Sequence, residues 1–165
     1  MWDMLQIFRN AKDINFDKLL LVYKQTNTHS AARNYPNEDA VRGLLRAEEA
    51  FEQYIREEFF SISGAYYAVW EVNDCYVSAL RMEPHQDGYL LTALETSLEH
   101  RRMGYAEGLV LEVVAISDKP VYAHVFKSNH PSITLHKKCG FQQISDHAFL
   151  LDGTVTQKAV TLRYK

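Results

Sequence analysis

LETSLEHRRMGYAEGLVLEVV, residues 94–114, is the stretch that decides the fold. Leu94, Glu95 and Thr96 close a strand that begins at Tyr89. A basic turn with one glycine follows, and from Tyr105 to Ser117 the residues Leu109, Val110, Val113, Val114 and Ile116 form the apolar side of a helix. Strand, glycine turn and helix together make an anion site. The first amides of a helix lack intrahelical partners and, with the helix dipole, favour a phosphate placed against them. Gly104 lets the backbone approach a ligand with no Cβ in the way, Ala106 keeps the next turn narrow, and Arg101 and Arg102 add positive charge.

Working outward, Asp118-Lys119-Pro120 ends this helix and Val121–Phe126 reads as the next strand, which completes a strand-helix-strand unit. Pro131 suits the first turn of a further helix that Gly140 closes. Two final strands, Phe141–Leu151 and Val155–Tyr164, flank an Asp152-Gly153 turn. Upstream, Met4–Phe8 reads as a first strand and Asn15 as the cap of a helix carrying Phe16, Leu19, Leu20 and Tyr23. A polar loop is expected through Asn34 and Pro36, and Asn37 is expected to cap a long amphipathic helix containing Val41, Leu44, Phe51 and Ile55. Ala65–Val72 and Cys75–Met82 read as a hairpin around Asn73-Asp74, followed by a loop bounded by Pro84 and Gly88. The order βααβββαβαββ predicts an α/β fold with a mixed, mostly antiparallel central sheet flanked by helices.

Composition narrows the function. The chain has 165 residues, 47% of them hydrophobic, with no repeat or linker, so residues 1–165 are expected to form one domain. No apolar run is long enough for a membrane span, and the N-terminus lacks a secretory pattern, so a cytoplasmic protein is expected. The net charge of −3 argues against nucleic acid as a partner. Cys75 and Cys139 stand far apart without zinc-ligand spacing, so no metal is expected.

A second motif follows 25 residues after Gly104: Asn129-His130-Pro131-Ser132-Ile133-Thr134-Leu135-His136-Lys137-Lys138-Cys139-Gly140-Phe141. With it the chain resembles the GCN5-related N-acetyltransferase (GNAT) family. The family's cofactor motif, Arg or Gln, two residues, Gly, one residue, then Gly or Ala, is met by Arg101–Ala106. Its downstream Asn-x-x-Ala/Ser-x-x-Leu-Tyr-x-x-x-Gly-Phe is met at Asn129, Ser132, Leu135, Gly140 and Phe141. The resemblance implies acetyl-CoA as cosubstrate and a small-molecule or peptide amine as acceptor. It implies that the backbone of Leu94–Thr96 pairs with the pantetheine arm and that the amides of Arg102, Met103, Gly104, Tyr105 and Ala106 hold the pyrophosphate beside Arg101. Asn129 and Ser132 would face the same arm. Homodimers are common in the family, although no feature of this sequence shows one.

Where the family commonly has a tyrosine that protonates the leaving thiolate, this chain has His136, whose imidazole can donate a proton or stay neutral near pH 7. An amine must also lose a proton before it attacks, and Glu95, Glu71 and His124 are the candidate bases, with a water chain as a further route. Glu95 is the first choice because it lies closest in sequence to the reacting thioester. No cysteine or serine sits in a nucleophile motif, so direct attack within a ternary complex is expected. The alternative is a non-catalytic acyl-CoA-binding or sensor domain of the same fold.

Overall fold

The computed structural model describes residues 3–150 and 152–165. Strand β1 (Asp3–Phe8) pairs antiparallel with β2 (Tyr66–Val72), which turns into β3 (Cys75–His85). Asn73 and Asp74 take φ values of 49° and 65°, the left-handed pair that matches the twist of a two-residue hairpin. The expected loop between Pro84 and Gly88 is instead a second tight hairpin. β3 continues to His85, and Gln86 (φ 52°) and Asp87 turn it into β4 (Gly88–Thr96). Strand β2 begins opposite Met82, so the missing N–H of Pro84 breaks no ladder with β2.

Strand β4 meets β5 (Val121–Phe126) in parallel at only two positions, Tyr89 with Val121 and Leu90 with Tyr122. β9 (Ala159–Tyr164) then pairs antiparallel along the whole of β5, and β6 (Gln142–Ser145) closes the edge. The sheet order is β1-β2-β3-β4-β5-β9-β6, mixed and mostly antiparallel as the sequence predicts. The two long final strands, in contrast, are each divided. β7 (Ala148–Phe149) and β8 (Val155–Thr156) form a separate small hairpin. The hydroxyl of Ser145 accepts from the His147 amide at 3.2 Å, a local bond that competes with continuation of β6. Leu151, the expected end of that strand, lies outside the described residues.

Helix α1 (Phe16–Val22) begins at Asn15, whose side chain accepts from the Lys18 amide at 3.1 Å. The expected polar loop after it is helix α2 (Lys24–Asn34). Its sequence has no apolar stripe, but Asn27 and Ala31 are buried, and a Cβ placed on Gly43 would lie 3.6 Å from the Ala31 Cβ. The small pair lets α2 and α3 (Ala40–Glu57) come close, and tertiary packing overrides the weak local signal. Asp39, not Asn37, caps α3, accepting from the Arg42 amide at 2.9 Å. α4 (Tyr105–Ile116) and α5 (His130–Lys138) match expectation within a residue or two.

Each face of the sheet has its own core. On one, Leu80, Met82, Leu91, Ala123 and Leu162 pack against Leu109, Val110, Val113 and Val114 of α4. On the other, Tyr67, Val69 and Ala79 pack against Leu19, Val22, Tyr23, Ile55 and Phe59. Helices α1 to α3 therefore cover the β1–β3 half of the second face. Over β4, β5 and β9 that face borders a cavity of about 230 Å³ walled by Tyr54, the β7–β8 hairpin and polar side chains of the sheet.

Candidate active site

The site begins with a fault in β4. Arg81 pairs with Thr92 and Ala79 with Glu95, so Ala93 and Leu94 together oppose Leu80 in a bulge. Ala93 adopts φ 53°, a left-handed conformation costing about 1 kcal/mol for an L-residue. Its carbonyl accepts a 2.7 Å hydrogen bond from Tyr23, a buried side chain of α1's C-cap whose phenol is pushed well above its ordinary pKa by desolvation. No glycine marks this bulge, so the sequence carried no signal for it. Past Leu90 the β5-facing edge of β4 has no strand partner among the described residues, and a cleft opens between them.

The basic turn closes one end of that cleft. Arg102 (φ 62°) and Gly104 (φ 83°) are both left-handed, and the Gly104 carbonyl accepts the first bond of α4, from Gly108 at 2.9 Å. Gly104 offers no side-chain cap, so the first amides of α4 are free for a ligand. A Cβ on Gly104 would meet nothing within 4 Å. Arg101 is fixed from three sides: its Nε donates to the Thr96 carbonyl at 3.2 Å, one terminal nitrogen donates to Gln25 at 2.6 Å, and Glu95 lies 3.7 Å away.

The space in front of the turn is a cleft of about 670 Å³. Of the expected cofactor residues, Leu94, Thr96, Arg101, Arg102, Gly104, Tyr105, Ala106, Asn129 and Ser132 all border it. Met103 does not, and its side chain is 62% exposed. Gln25 and His100 also border the cleft and were not anticipated. Gln25 belongs to α2, read from sequence as loop, and nothing local distinguishes it.

A smaller extension of about 180 Å³ continues between β4 and β5 and is bordered by Leu94, Asn129, Ser132, His124 and His136. The Asn129 side chain caps α5, accepting from the Ser132 amide at 3.2 Å. His136 is 2% exposed, and its Nδ1 donates to the Ser132 carbonyl at 2.7 Å, with the Ser132 hydroxyl at 3.3 Å. In the neutral ring this bond puts the proton on Nδ1 and leaves Nε2, which has no partner among the described residues, as a bare acceptor. Burial lowers its pKa, with the Ser132 contact opposing. Donation from Nε2, the role expected from the sequence, therefore requires the imidazolium.

The three candidate bases are placed differently. Glu95 borders the turn cleft and a neighbouring cavity of about 330 Å³, with its carboxylate engaged by the Thr26 hydroxyl and by Arg101. Glu71, near the end of β2, is engaged by Lys18 of α1 at 3.5 Å and by Gln6 of β1 at 3.4 Å and borders none of these spaces. His124 stands on β5 where the β4–β5 cleft meets the cavity under the β7–β8 hairpin. Among the described residues, no group of three or more His, Cys, Asp or Glu could hold a metal, and no helix is long and apolar enough to cross a membrane.

Solved structures of the same fold are numerous. The PaiA N-acetyltransferase of Thermoplasma acidophilum, in complex with coenzyme A, superposes with a TM-score of 0.64 at 14% identity, covering 98% of this chain and 99% of that one. The N-acetyltransferase PseH of Campylobacter jejuni, in complex with acetyl coenzyme A, gives 0.59 at 15% identity over 98% and 99%. A chimera of spermidine N-acetyltransferase SpeG from Vibrio cholerae and hSSAT gives 0.58 at 15% over 98% and 93%. No curated protein matches the sequence. At such identities these likenesses show the fold alone. The sequence profile of the acetyltransferase (GNAT) family, however, matches residues 11–141, from the turn before α1 through the phosphate turn to Phe141 at the end of the second motif, and the chain belongs to that family.

Proposed function

We propose that this protein transfers an acetyl group from acetyl-CoA to the amine of a small molecule or peptide, by direct attack in a ternary complex. The observation that carries the reading is the uncapped N-terminus of α4 beside Arg101 and Arg102, opening into a strand gap with two unpartnered imidazole nitrogens at its inner end. The residues present fit acetyl-CoA. Free amides and two arginines suit a pyrophosphate, Gly104 leaves open space where a Cβ would intrude, and the unpaired edge of β4 suits an amide-bearing arm. Acetyl-CoA supplies the activated thioester.

In this reading the amides of Arg102–Ala106 and the side chain of Arg101 bind the pyrophosphate, and Leu94–Thr96 hydrogen-bond the pantetheine arm along the β4 edge. Asn129 and Ser132 border that arm from α5. Glu95 holds Arg101 in place and separates the turn cleft from the adjoining cavity. A backbone amide near the bulge stabilises the oxyanion. His136 delivers a proton to the departing sulfur, and since its neutral ring has none on Nε2, that proton must be loaded from the acceptor nitrogen during the reaction.

Calorimetric titration with acetyl-CoA, with CoA and ATP as controls, tests the first half: saturable binding that prefers acetyl-CoA to ATP supports it, and no binding at millimolar ligand refutes it. Turnover with a panel of primary amines tests the second. The bare Nε2 of His136 also favours one other reading, an acyl-CoA sensor that binds without turnover. That reading stands if binding is seen and no amine is acetylated.

A further inference from the structure

His124 is held by a chain of hydrogen bonds that fixes its tautomer. Thr161 Oγ1 donates its only hydrogen to the His147 carbonyl at 2.7 Å. The 3.2 Å contact between Thr161 Oγ1 and His124 Nδ1 can then run in one direction only: Nδ1 carries the proton and donates it to the hydroxyl oxygen. Nε2 is left as a lone-pair acceptor, buried and with no partner among the described residues. The ring forms part of the wall of two spaces at once, the β4–β5 gap and the 230 Å³ cavity under the β7–β8 hairpin, which also share Thr92 and Phe126.

A buried nitrogen lone pair without a donor is costly unless a ligand supplies one. We infer that His124 is the general base of the reaction, that Thr161 and the His147 carbonyl orient it, and that the acceptor amine enters through the cavity bounded by Tyr54, Arg81, Glu83 and the β7–β8 hairpin. The inference rests on the acetyl-transfer reading above and goes beyond it by naming the base and the side of entry.

The proton count closes. An acceptor ammonium carries three N–H bonds and the product amide one. Nε2 of His124 takes the first proton, and the electron pair of that N–H bond becomes the lone pair that attacks the thioester carbon. When the C–S bond breaks, sulfur leaves with its electron pair and takes the second proton, and His124 returns the first to solvent. The Nδ1–H bond to Thr161 persists in both the neutral and the charged ring, so the relay holds the base throughout the cycle. Glu95 is less suited, because a hydroxyl and an arginine already occupy its oxygens.

Several groups face His124 and shape its titration. From β3 come His85, with ring centroids 5.5 Å apart, and Arg81 and Glu83; from α3 comes Tyr54, and from β9 Thr161. Tyr122, on β5 itself, touches His85 and is linked to Asp87 and Arg163. Burial first, and His85 second, lower the pKa of His124, which keeps the ring neutral and able to accept at pH 7.

The test uses the full chain with acetyl-CoA and two probe amines, a peptide α-amine of pKa about 8 and a lysine side-chain analogue of pKa about 10. His124→Gln is expected to bind acetyl-CoA within a few-fold of wild type and to lose about 10²- to 10⁴-fold in kcat/KM, more for the lysine analogue than for the α-amine. The acid limb of the wild-type pH profile should vanish with it. Thr161→Val should lose about ten-fold with acetyl-CoA affinity intact, and Thr161→Ser should restore both rate and pH profile. Long-range proton–nitrogen NMR should find His124 at pH 7 as the neutral Nδ1–H tautomer. A ring protonated on Nε2 at pH 7, or His124→Gln within two-fold of wild type at every pH, overturns the assignment and leaves acetyl transfer standing. A wild type that acetylates neither amine overturns both.

Discussion

Replacing Gly104 with glutamate separates backbone strain from ligand exclusion at the turn. At φ 83° any L-side chain is strained, which costs about 1 kcal/mol and applies equally to alanine. The Cβ of either residue meets no protein atom within 4 Å. Gly104 borders the turn cleft, so a glutamate there puts a carboxylate at the edge of the region proposed for the pyrophosphate. Two like charges 4 Å apart repel by about 1 kcal/mol in a water-like medium and about 4 kcal/mol at an intermediate dielectric. Gly104→Ala should therefore unfold at slightly lower urea than wild type and bind acetyl-CoA a few-fold more weakly, its Cβ taking space the ligand would use. Gly104→Glu should match its stability and bind about ten- to a thousand-fold more weakly. Urea denaturation followed by calorimetric titration of all three proteins measures both quantities. If Gly104→Glu binds acetyl-CoA within three-fold of Gly104→Ala, the pyrophosphate does not sit at this turn.

Gly88→Ala should be far more damaging to the fold, since the added Cβ would lie 1.9 Å from the Pro120 carbonyl oxygen, which already accepts from the Tyr89 amide. A loss of about 3 kcal/mol in urea denaturation is expected, and an unchanged midpoint would refute the close approach of β4 to Pro120. His136→Gln bears on acid stability. The folded pKa of His136 lies below its unfolded value of about 6.5, so the unfolded chain binds more protons, and stability present above pH 6.5 is lost as pH falls toward the folded value. The variant should show a shallower loss between pH 7 and pH 5, and parallel curves would refute the buried neutral ring. Of the two thiols, Cys75 is exposed and Cys139 buried with its pKa pushed up by desolvation. A thiol reagent should modify one equivalent quickly in the native protein and the second only on unfolding.

Elements whose signals were local could be read from the sequence. The Asn73-Asp74 hairpin, the glycine turn before α4 and the Asn15 cap each depend on residues within a few positions of one another. What escaped depends on distant partners. Helix α2 is polar throughout and forms against α3 through Ala31 and Gly43. The Ala93 bulge is held by Tyr23, 70 residues away. Asn37 and Asp39 are both competent caps, and their residue types cannot tell which of them the helix will use. The same limit applies to the proposed base: His124 was among three candidates, but the hydroxyl that fixes its tautomer stands 37 residues later on a strand whose register the sequence does not declare.

The brief pairing of β4 with β5 makes the sheet two leaves joined along a short spine. An arm lying along the open edge of β4 would act as a borrowed strand, turning part of that gap into a ladder. Binding should then be felt as stiffness well away from the ligand: amides of β5 and β9 that never touch it should exchange more slowly, and at a hundred times the dissociation constant the whole chain should gain about 2.7 kcal/mol against unfolding. If the proposed arm binds there, the ligand completes the sheet and the unliganded chain is its softer form.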